Sequence, residues 1–542
     1  MPANNGPVVL IILDGWGIAP PGPGNAVTQA NLPFFNRLCS GYPYTQLIAS
    51  GEAVGLPHGE NGNTEVGHIN LGAGQIVYQD LPRINSAISD GTFFTNPELL
   101  SIINETNRRR STLHLLGLIG AGGVHANNEH LFALIKLAAL SQVTRLSLHL
   151  FTDGRDSPPT TARIYLNEIN QHLRFHHLGM IASVSGRYYA MDRDRRWDRT
   201  EKVYRCLTEG IGLTASTPEQ AVAQAYNRGV TDEFIEPTLI VDSQGQPLSL
   251  IRENDAVIFY NFRIDRPRQL TKALIMPDFE AKANELSFDP LADKYWHSHI
   301  PPQAVYPPFK RKKVFTNLSM ATMTEYQPGL PVKVIMPPVH VNLPLSRIIS
   351  DAGLRQLKLA ETEKERFVTY YFNGLRDQPF PGEDWKIIPS PKIATYDLQP
   401  QMSTPELSRE LINQLNRREY NFICINLACT DMVAHTGILP AAIQACEAVD
   451  LFLNQIIPLV LNLNGTAIIT ADHGNIEEII NLQSVAMDTE HSTNPVPLII
   501  VSNAQLTQNL RLHPGILADV APTVLQLLNL NQPDCMTGRS LL

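Results

Sequence analysis

Three apolar runs in this chain end in the same way. Val8–Leu13 (VVLIIL) leads straight into Asp14-Gly15. Phe422–Leu427 (FICINL) is followed by Asp431 and His435, and Thr466–Thr470 (TAIIT) by Asp472 and His473 after one alanine. Short runs of β-branched and apolar residues bounded by turn signals read as buried strands. Polar groups at their carboxyl ends lie where open α/β sheets place ligands. Aspartate offers a hard oxygen and histidine a borderline nitrogen, the mixture that suits Zn²⁺ or Mn²⁺. Asp431 and His435 are four apart, which puts both on one face of a helix. A further pair, Glu490-His491, comes late in the chain. One Asp-His pair at a strand end fits an ordinary loop satisfied by its neighbours. The same ending on several strands points to a site for two metals built from both ends of the chain.

That origin sets the domain plan. At 542 residues the chain is too long for one core, and two to four domains are expected. The fold class expected is α/β, with a metal domain formed from residues 1–77 and 315–542 and a second α/β domain, 78–314, inserted into it. A net charge of −9 gives no global reason to expect nucleic acid. Six scattered cysteines without a CxxC pair suit a reducing cytoplasm. The leading MPANNGP has no basic region and no apolar run approaches a membrane span, so neither a signal peptide nor a membrane partner is expected. A monomer acting on a small molecule is the expected assembly.

Inside the insert, strands over Leu113–Ile119, Leu146–Phe151, Met180–Val184 and Ala256–Tyr260 are each followed by histidine or arginine. These are His125, then Arg155 with Asp156, then Arg187 and Arg193, then Arg263 and Arg266. Single surface arginines are usually just solvated. Repeated at one sheet edge they read as an anion pocket, because guanidinium grips phosphate and carboxylate in bidentate fashion. Helices are expected over Leu32–Leu38, Val77–Gly91 and Glu129–Leu140. Glu361–Lys364 lies in a charged helical stretch, Phe367–Phe372 reads as a strand, and Phe380–Thr395 as loop. Domain connections are placed near Leu71–Gln79 and near the Pro-rich stretches 301–313 and 327–338. The glycines and asparagines of 59–68 suit a tight turn exposing Thr64 at a helix start. Two readings stay open there: a hydroxyl that attacks and carries a phosphoryl group, or an N-cap bonded to the backbone. Spacing alone favours the cap.

Longer motifs carry a resemblance. LDGWG (13–17), GNTEVGH (62–68), GAGQIVYQDLPRIN (72–85), GGVH (122–125), DGRD (153–156), SGRYYAMDRD (185–194), NFRIDRPRQ (261–269), AETEK (360–364), FPGEDWKIIPSPKIATYDLQP (380–400), TDMVAHTG (430–437), ADHGN (471–475) and HSTNPVP (491–497) occur in this order. Together they resemble the cofactor-independent phosphoglycerate mutases of the alkaline phosphatase superfamily, over nearly the whole chain. The resemblance implies interconversion of 3-phosphoglycerate and 2-phosphoglycerate with two divalent metals, Mn²⁺ first, with Mg²⁺, Co²⁺ or Zn²⁺ as alternatives, and no 2,3-bisphosphoglycerate. By motif, Asp431, His435 and His491 would hold one metal. Asp14, Asp472, His473 and the Thr64 oxygen would hold the other. His125, Arg155, Asp156, Arg187, Arg193, Arg263, Arg266 and Lys364 would line the substrate pocket. Thr64 would be the nucleophile, Lys364 the cation beside the transferred oxygens, and Asp156 the proton shuttle.

The chain departs from the family pattern in three places. Its nucleophile is a serine where this chain has Thr64, whose methyl restricts χ1. Ala126-Asn127 stands where Ser-His is frequent, and Phe367 where histidine is common. A threonine at the nucleophile keeps two rivals in view, a metal-dependent phosphohydrolase and an inactive pseudoenzyme that binds metal and phosphoglycerate.

Overall fold

The computed structural model describes residues 6–285, 306–480, 486–503 and 510–542. The start of the N-terminal segment read for a leader (MPANN) and residues 301–305 of the first Pro-rich stretch lie outside them. The chain forms two compact units, Met1–Gln79 with Val339–Leu542, and Asp80–Pro338.

The first unit is built on an eight-stranded sheet. Its order is Glu383–Ile388, Gln356–Glu361, Phe422–Leu427, Val8–Leu13, Thr466–Thr470, Val496–Val501, Tyr44–Ile48, Gly515–Ile516. All six residues of Val8–Leu13 are buried, as a central strand covered on both faces requires. It runs parallel to Phe422–Leu427 on one side and to Thr466–Thr470 on the other. Ile12 faces Thr470 in that register, so two residues further on Asp14 comes level with Asp472. The helix Leu439–Asn462 buries an apolar face from Ala441 to Val460 in the same core. Among the described residues it is the one helix long and apolar enough to cross a membrane, and half of its most apolar window is buried in the protein.

The second unit has its own eight-stranded sheet. The order is Lys333–Val334, Ser319–Thr322, Ala256–Phe259, Leu113–Ile119, Leu146–Thr152, Met180–Gly186, Thr238–Ile240, Leu213–Ala215. Its central strands are parallel, and Thr238–Ile240 runs against Met180–Gly186.

Several expectations are corrected. Ser319–Thr322 pairs with Ala256–Phe259, so the chain returns to the first unit at Val339 rather than near residue 315. Phe367–Phe372 is no strand; Phe367–Tyr371 forms a π-helical turn with Phe367, Val368 and Thr369 buried in succession. A short apolar run does not discriminate the two periods. Phe380–Thr395 is not all loop, because Glu383–Ile388 is a half-exposed edge strand bracketed by Pro381 and Pro389. Glu361 closes the strand Gln356–Glu361, and only Thr362–Lys364 makes a 3₁₀ turn.

Candidate active site

At Thr64 the structure separates the two roles that the sequence left open. The helix Thr64–Ala73 is capped by Asn63, whose side chain accepts from the Val66 N–H at 3.0 Å. The capping reading of Thr64 is therefore corrected, and its hydroxyl is directed elsewhere. Thr64 Oγ1 lies 3.0 Å from His473 Nε2 and 3.2 Å from Lys364 Nζ. The helix reaches this position because Gly67 has no side chain: a Cβ there would stand 2.5 Å from the Asp472 carbonyl oxygen.

Around this hydroxyl the strand ends deliver two groups of three. Asp431, His435 and His491 form one, and Asp14, Asp472 and His473 the other, with ligand atoms in each lying within 4.8 Å of one another. His435 Nδ1 faces the Thr489 carbonyl at 2.9 Å, and His491 Nδ1 faces that of Gly62 at 3.0 Å. Those contacts fix both Nδ1 atoms as donors, leaving two Nε2 lone pairs. The two Nε2 atoms are 3.2 Å apart and each is 3.4 Å from Asp431 Oδ1. Facing acceptors at that distance require a cation or a proton between them. In the second group Asp472 Oδ2 is buried and makes no hydrogen bond within the protein. His68 Nδ1 lies 3.1 Å from it but is directed to the Thr64 carbonyl at 2.9 Å. An orphaned buried carboxylate oxygen beside imidazole nitrogen is a donor set that fits a divalent cation.

The electrostatics agree with that fit. Burial works against a charge on His473, yet Asp472, Asp14 and Asp431 outweigh it and hold the imidazole up at about 10. Burial likewise opposes ionisation of Asp472, and His473, His68 and Lys364 keep its carboxyl down at about 2. Asp431 lies well below the usual carboxylate range, chiefly through Lys364 acting against its burial. The anionic pocket draws whatever cations are present, and without metal these are protons and Lys364. Lys364 donates to Asp14 Oδ1 at 2.7 Å and to Asp431 Oδ2 at 2.6 Å, one carboxylate of each group. The Phe367 ring stands 5.2 Å from its Nζ, so two of the three departures meet at this lysine.

Supporting residues that the sequence reading missed surround these groups. Asn426 donates to Asp14 Oδ2 at 2.6 Å, Asn475 to Asp431 Oδ1 at 2.8 Å, and Thr430 to the Asp14 carbonyl. Asn475 lies in ADHGN and Thr430 opens TDMVAHTG, so motif membership was the available signal.

In the second unit, the loops after the central strands bring most of the expected basic residues together. Arg187 is buried and pairs with both Asp153 and Asp156. His125 Nε2 is 3.8 Å from Asp156 Oδ2, and its Nδ1 is 3.8 Å from Asp265 Oδ1. Asp265, missed although it lies inside NFRIDRPRQ, accepts from Arg193 at 2.8 Å and stands 3.5 Å from Arg263 Nε. Arg266 donates to the Met191 carbonyl at 3.2 Å. The Arg155 guanidinium is mostly exposed and lies 3.8 Å from Glu233 instead. His125 Nδ1 and Arg266 Nε are buried and make no hydrogen bond within the protein. Burial, then Arg187, push the His125 imidazole down to about 4 against the pull of Asp265, which keeps it neutral near pH 7. Asp156 is held below the ordinary carboxylate range: burial opposes its ionisation, and the Arg187 contact overcomes that. Asn127, the other half of the Ala-Asn departure, caps the helix Asn128–Leu140 by accepting from the Glu129 N–H at 2.8 Å.

Comparison with known proteins decides the family. Residues 84–328 match the family described as BPG-independent PGAM N-terminus. The 2,3-bisphosphoglycerate-independent phosphoglycerate mutase of Chloroflexus aggregans is 49% identical over 538 residues, covering 99% of this chain and 98% of that one. The chain belongs to the 2,3-bisphosphoglycerate-independent phosphoglycerate mutases. Another member of that mutase family, from Methanosarcina barkeri, is 45% identical over 99% of this chain and 98% of its own. A Leishmania mexicana phosphoglycerate mutase crystallised at low cobalt concentration aligns with a TM-score of 0.61 and 29% identity, covering 99% of this chain and 97% of that one. The α/β architecture is thus that of a phosphoglycerate mutase, and the two ligand groups of the first unit are candidate sites for divalent metal.

Proposed function

We propose that this mutase interconverts 3-phosphoglycerate and 2-phosphoglycerate, a step of glycolysis and gluconeogenesis, by passing the phosphoryl group through Thr64 without added 2,3-bisphosphoglycerate. The observation that carries the reading is the placement of Thr64 Oγ1, in contact with both His473 and Lys364. Asp431, His435 and His491 would hold one dication, and Asp14, Asp472, His473 and the Thr64 oxygen the other. Mn²⁺ is the first choice, and Mg²⁺, Co²⁺ or Zn²⁺ are alternatives. When bound, the dications supply the Lewis acidity that makes a hydroxyl a usable nucleophile at neutral pH.

The chain's own side chains do the rest. The Thr64 oxygen takes the phosphoryl group from one glycerate hydroxyl and returns it to the other. The Lys364 ammonium, fixed by two carboxylates, balances negative charge on the transferred oxygens. Asp156, ionised beside Arg187, accepts the proton of one hydroxyl and gives it to the other. Arg263 and Arg266 grip phosphate and Arg187 and Arg193 the carboxylate end, with neutral His125 between acidic neighbours and Arg155 at the margin. The first unit is thereby assigned to metal and phosphoryl group, and the inserted unit to substrate.

A monomeric cytoplasmic enzyme without nucleic-acid or membrane partners completes the reading, supported by the acidic net charge and six free cysteines. Neither phosphohydrolase nor pseudoenzyme is favoured by the full-length likeness to mutases. The deciding assay supplies 3-phosphoglycerate with Mn²⁺ or Mg²⁺ and no bisphosphoglycerate, coupled through enolase. Isomerised product is expected. Glycerate with free phosphate would indicate the hydrolase, and no turnover at full metal occupancy the pseudoenzyme.

A further inference from the structure

Glu477 belongs to neither group of candidate ligands and is buried. Its Oε2 accepts from the backbone N–H of Gly17 at 2.9 Å and of Asn475 at 2.8 Å. Its Oε1 accepts from the Ser492 hydroxyl and, at 3.0 Å, from the Asn494 side-chain amide. These donors come from three separate loops. One follows Val8–Leu13 and carries Asp14, one follows Thr466–Thr470 and carries Asp472 and His473, and one carries His491. The approach is close: a Cβ at Gly17 would stand 2.2 Å from Glu477 Cδ, and one at Gly474 would stand 2.3 Å from Ser492 Oγ and 2.4 Å from Glu477 Oε1. Gly474 and Ser492 also form an isolated antiparallel bridge.

Among the described residues no lysine, arginine or histidine lies within ion-pair distance of Glu477. A buried carboxylate held by neutral donors alone is a costly choice, because nothing of opposite charge offsets its desolvation. Geometry explains it. An ionised carboxylate is the one side-chain group that accepts on both ends, whereas an amide presents N–H on one of them. Both backbone N–H groups and both side-chain donors need an acceptor at this point.

We infer that Glu477 is the positioning residue of the metal centre, tying the loop of Asp14 and the loop of Asp472 and His473 to the loop of His491, so that the two ligand groups keep a fixed spacing. It ligates nothing itself. This rests on the two-dication reading above.

The test uses full-length protein stripped of metal and titrated with Mn²⁺ well below its unfolding midpoint, with the electron paramagnetic resonance of paired Mn²⁺ recorded at saturation. Glu477→Gln is expected to weaken Mn²⁺ binding by about 10–100-fold, the range for groups that orient metal ligands, and to alter the Mn²⁺–Mn²⁺ coupling. Ser492→Ala and Asn494→Ala each remove one donor and keep the charge; a few-fold loss is expected of each, and they decide the matter if Glu477→Gln does not fold. If the carboxylate serves stability alone, the substitutions will lower the midpoint of the metal-free protein and leave Mn²⁺ affinity and coupling as in wild type, and that result overturns the inference. Wild type that takes up no Mn²⁺ would instead overturn the dication reading itself.

Discussion

Lys364 Nζ stands 3.2 Å from the Thr64 hydroxyl oxygen, held there by Asp14 on one side and Asp431 on the other. A cation so fixed needs no reorganisation when charge develops on a transferred phosphoryl group. Lys364→Met keeps the unbranched apolar stem, one atom shorter, and removes the charge. Turnover is expected to fall by about 10²–10³-fold, the loss typical of removing one preorganised donor. Steady-state kinetics at saturating metal check this, and near wild-type turnover would remove Lys364 from the chemistry.

Thr64 itself divides into two experiments. Thr64→Ala should abolish isomerisation, because the hydroxyl beside His473 is lost. Its fold should survive, since Asn63 rather than Thr64 caps the helix. Thr64→Ser keeps the oxygen and frees χ1, and a rate equal to or above wild type is expected. A ten-fold slower serine enzyme, about 1.4 kcal/mol, would show that the pocket has adapted to the methyl. Isomerisation retained in Thr64→Ala, or a trapped phosphoenzyme labelled elsewhere, would show the nucleophile to be another residue.

Asp156→Asn removes a base and one of the two carboxylates that hold Arg187. Turnover should drop by roughly 10²–10⁴-fold. The change in KM should be small, because Asp153 still anchors Arg187. Isomerisation at the wild-type rate would exclude Asp156 as the proton carrier.

Metal removal is expected to silence the enzyme reversibly. Exhaustive chelation should abolish turnover, and Mn²⁺ should restore it. Elemental analysis of active protein should find two divalent ions per chain. Full activity with none present would contradict both ligand groups at once.

Glu361 gives a pH test of stability. Burial raises its carboxyl to about 7, partly countered by the Ser403 N–H. Its folded-state value lies above the ordinary one, so the folded chain binds more protons than the unfolded chain between pH 4.5 and 7. Stability from this group is present at low pH and lost as pH rises through 7. Glu361→Gln mimics the protonated form and should raise the thermal midpoint more at pH 8 than at pH 5. Equal shifts at both pH values would mean that Glu361 does not titrate in that window.

The parts of the site legible in the sequence are those that local pattern dictates. Asp14, Asp431 and Asp472 could be read because continuous apolar strands end next to them, and strand ends are visible without tertiary information. The basic residues of the insert were legible for the same reason. Asp265 and Glu477 were not, since each is an ordinary acid whose meaning lies in which distant loops it touches. Asn63 and Thr64 are both acceptable caps, and only the direction of each side chain separates them. Phe367–Tyr371 reads as a strand because a run of five mostly apolar and aromatic residues does not fix a period. Glu383–Ile388 was hidden by its flanking prolines and polar edge.

The central strand of the first sheet has a consequence for how the chain is made. Val8–Leu13 is synthesised long before its neighbours on both sides, Phe422–Leu427 and Thr466–Thr470. At elongation rates of about 5–20 residues per second, this apolar segment waits on the order of half a minute for a partner. The inserted unit is completed well before then, from one continuous stretch of chain. The nascent protein therefore carries a folded insert and an unpaired hydrophobic strand together, and that interval is when chaperones have the most to protect.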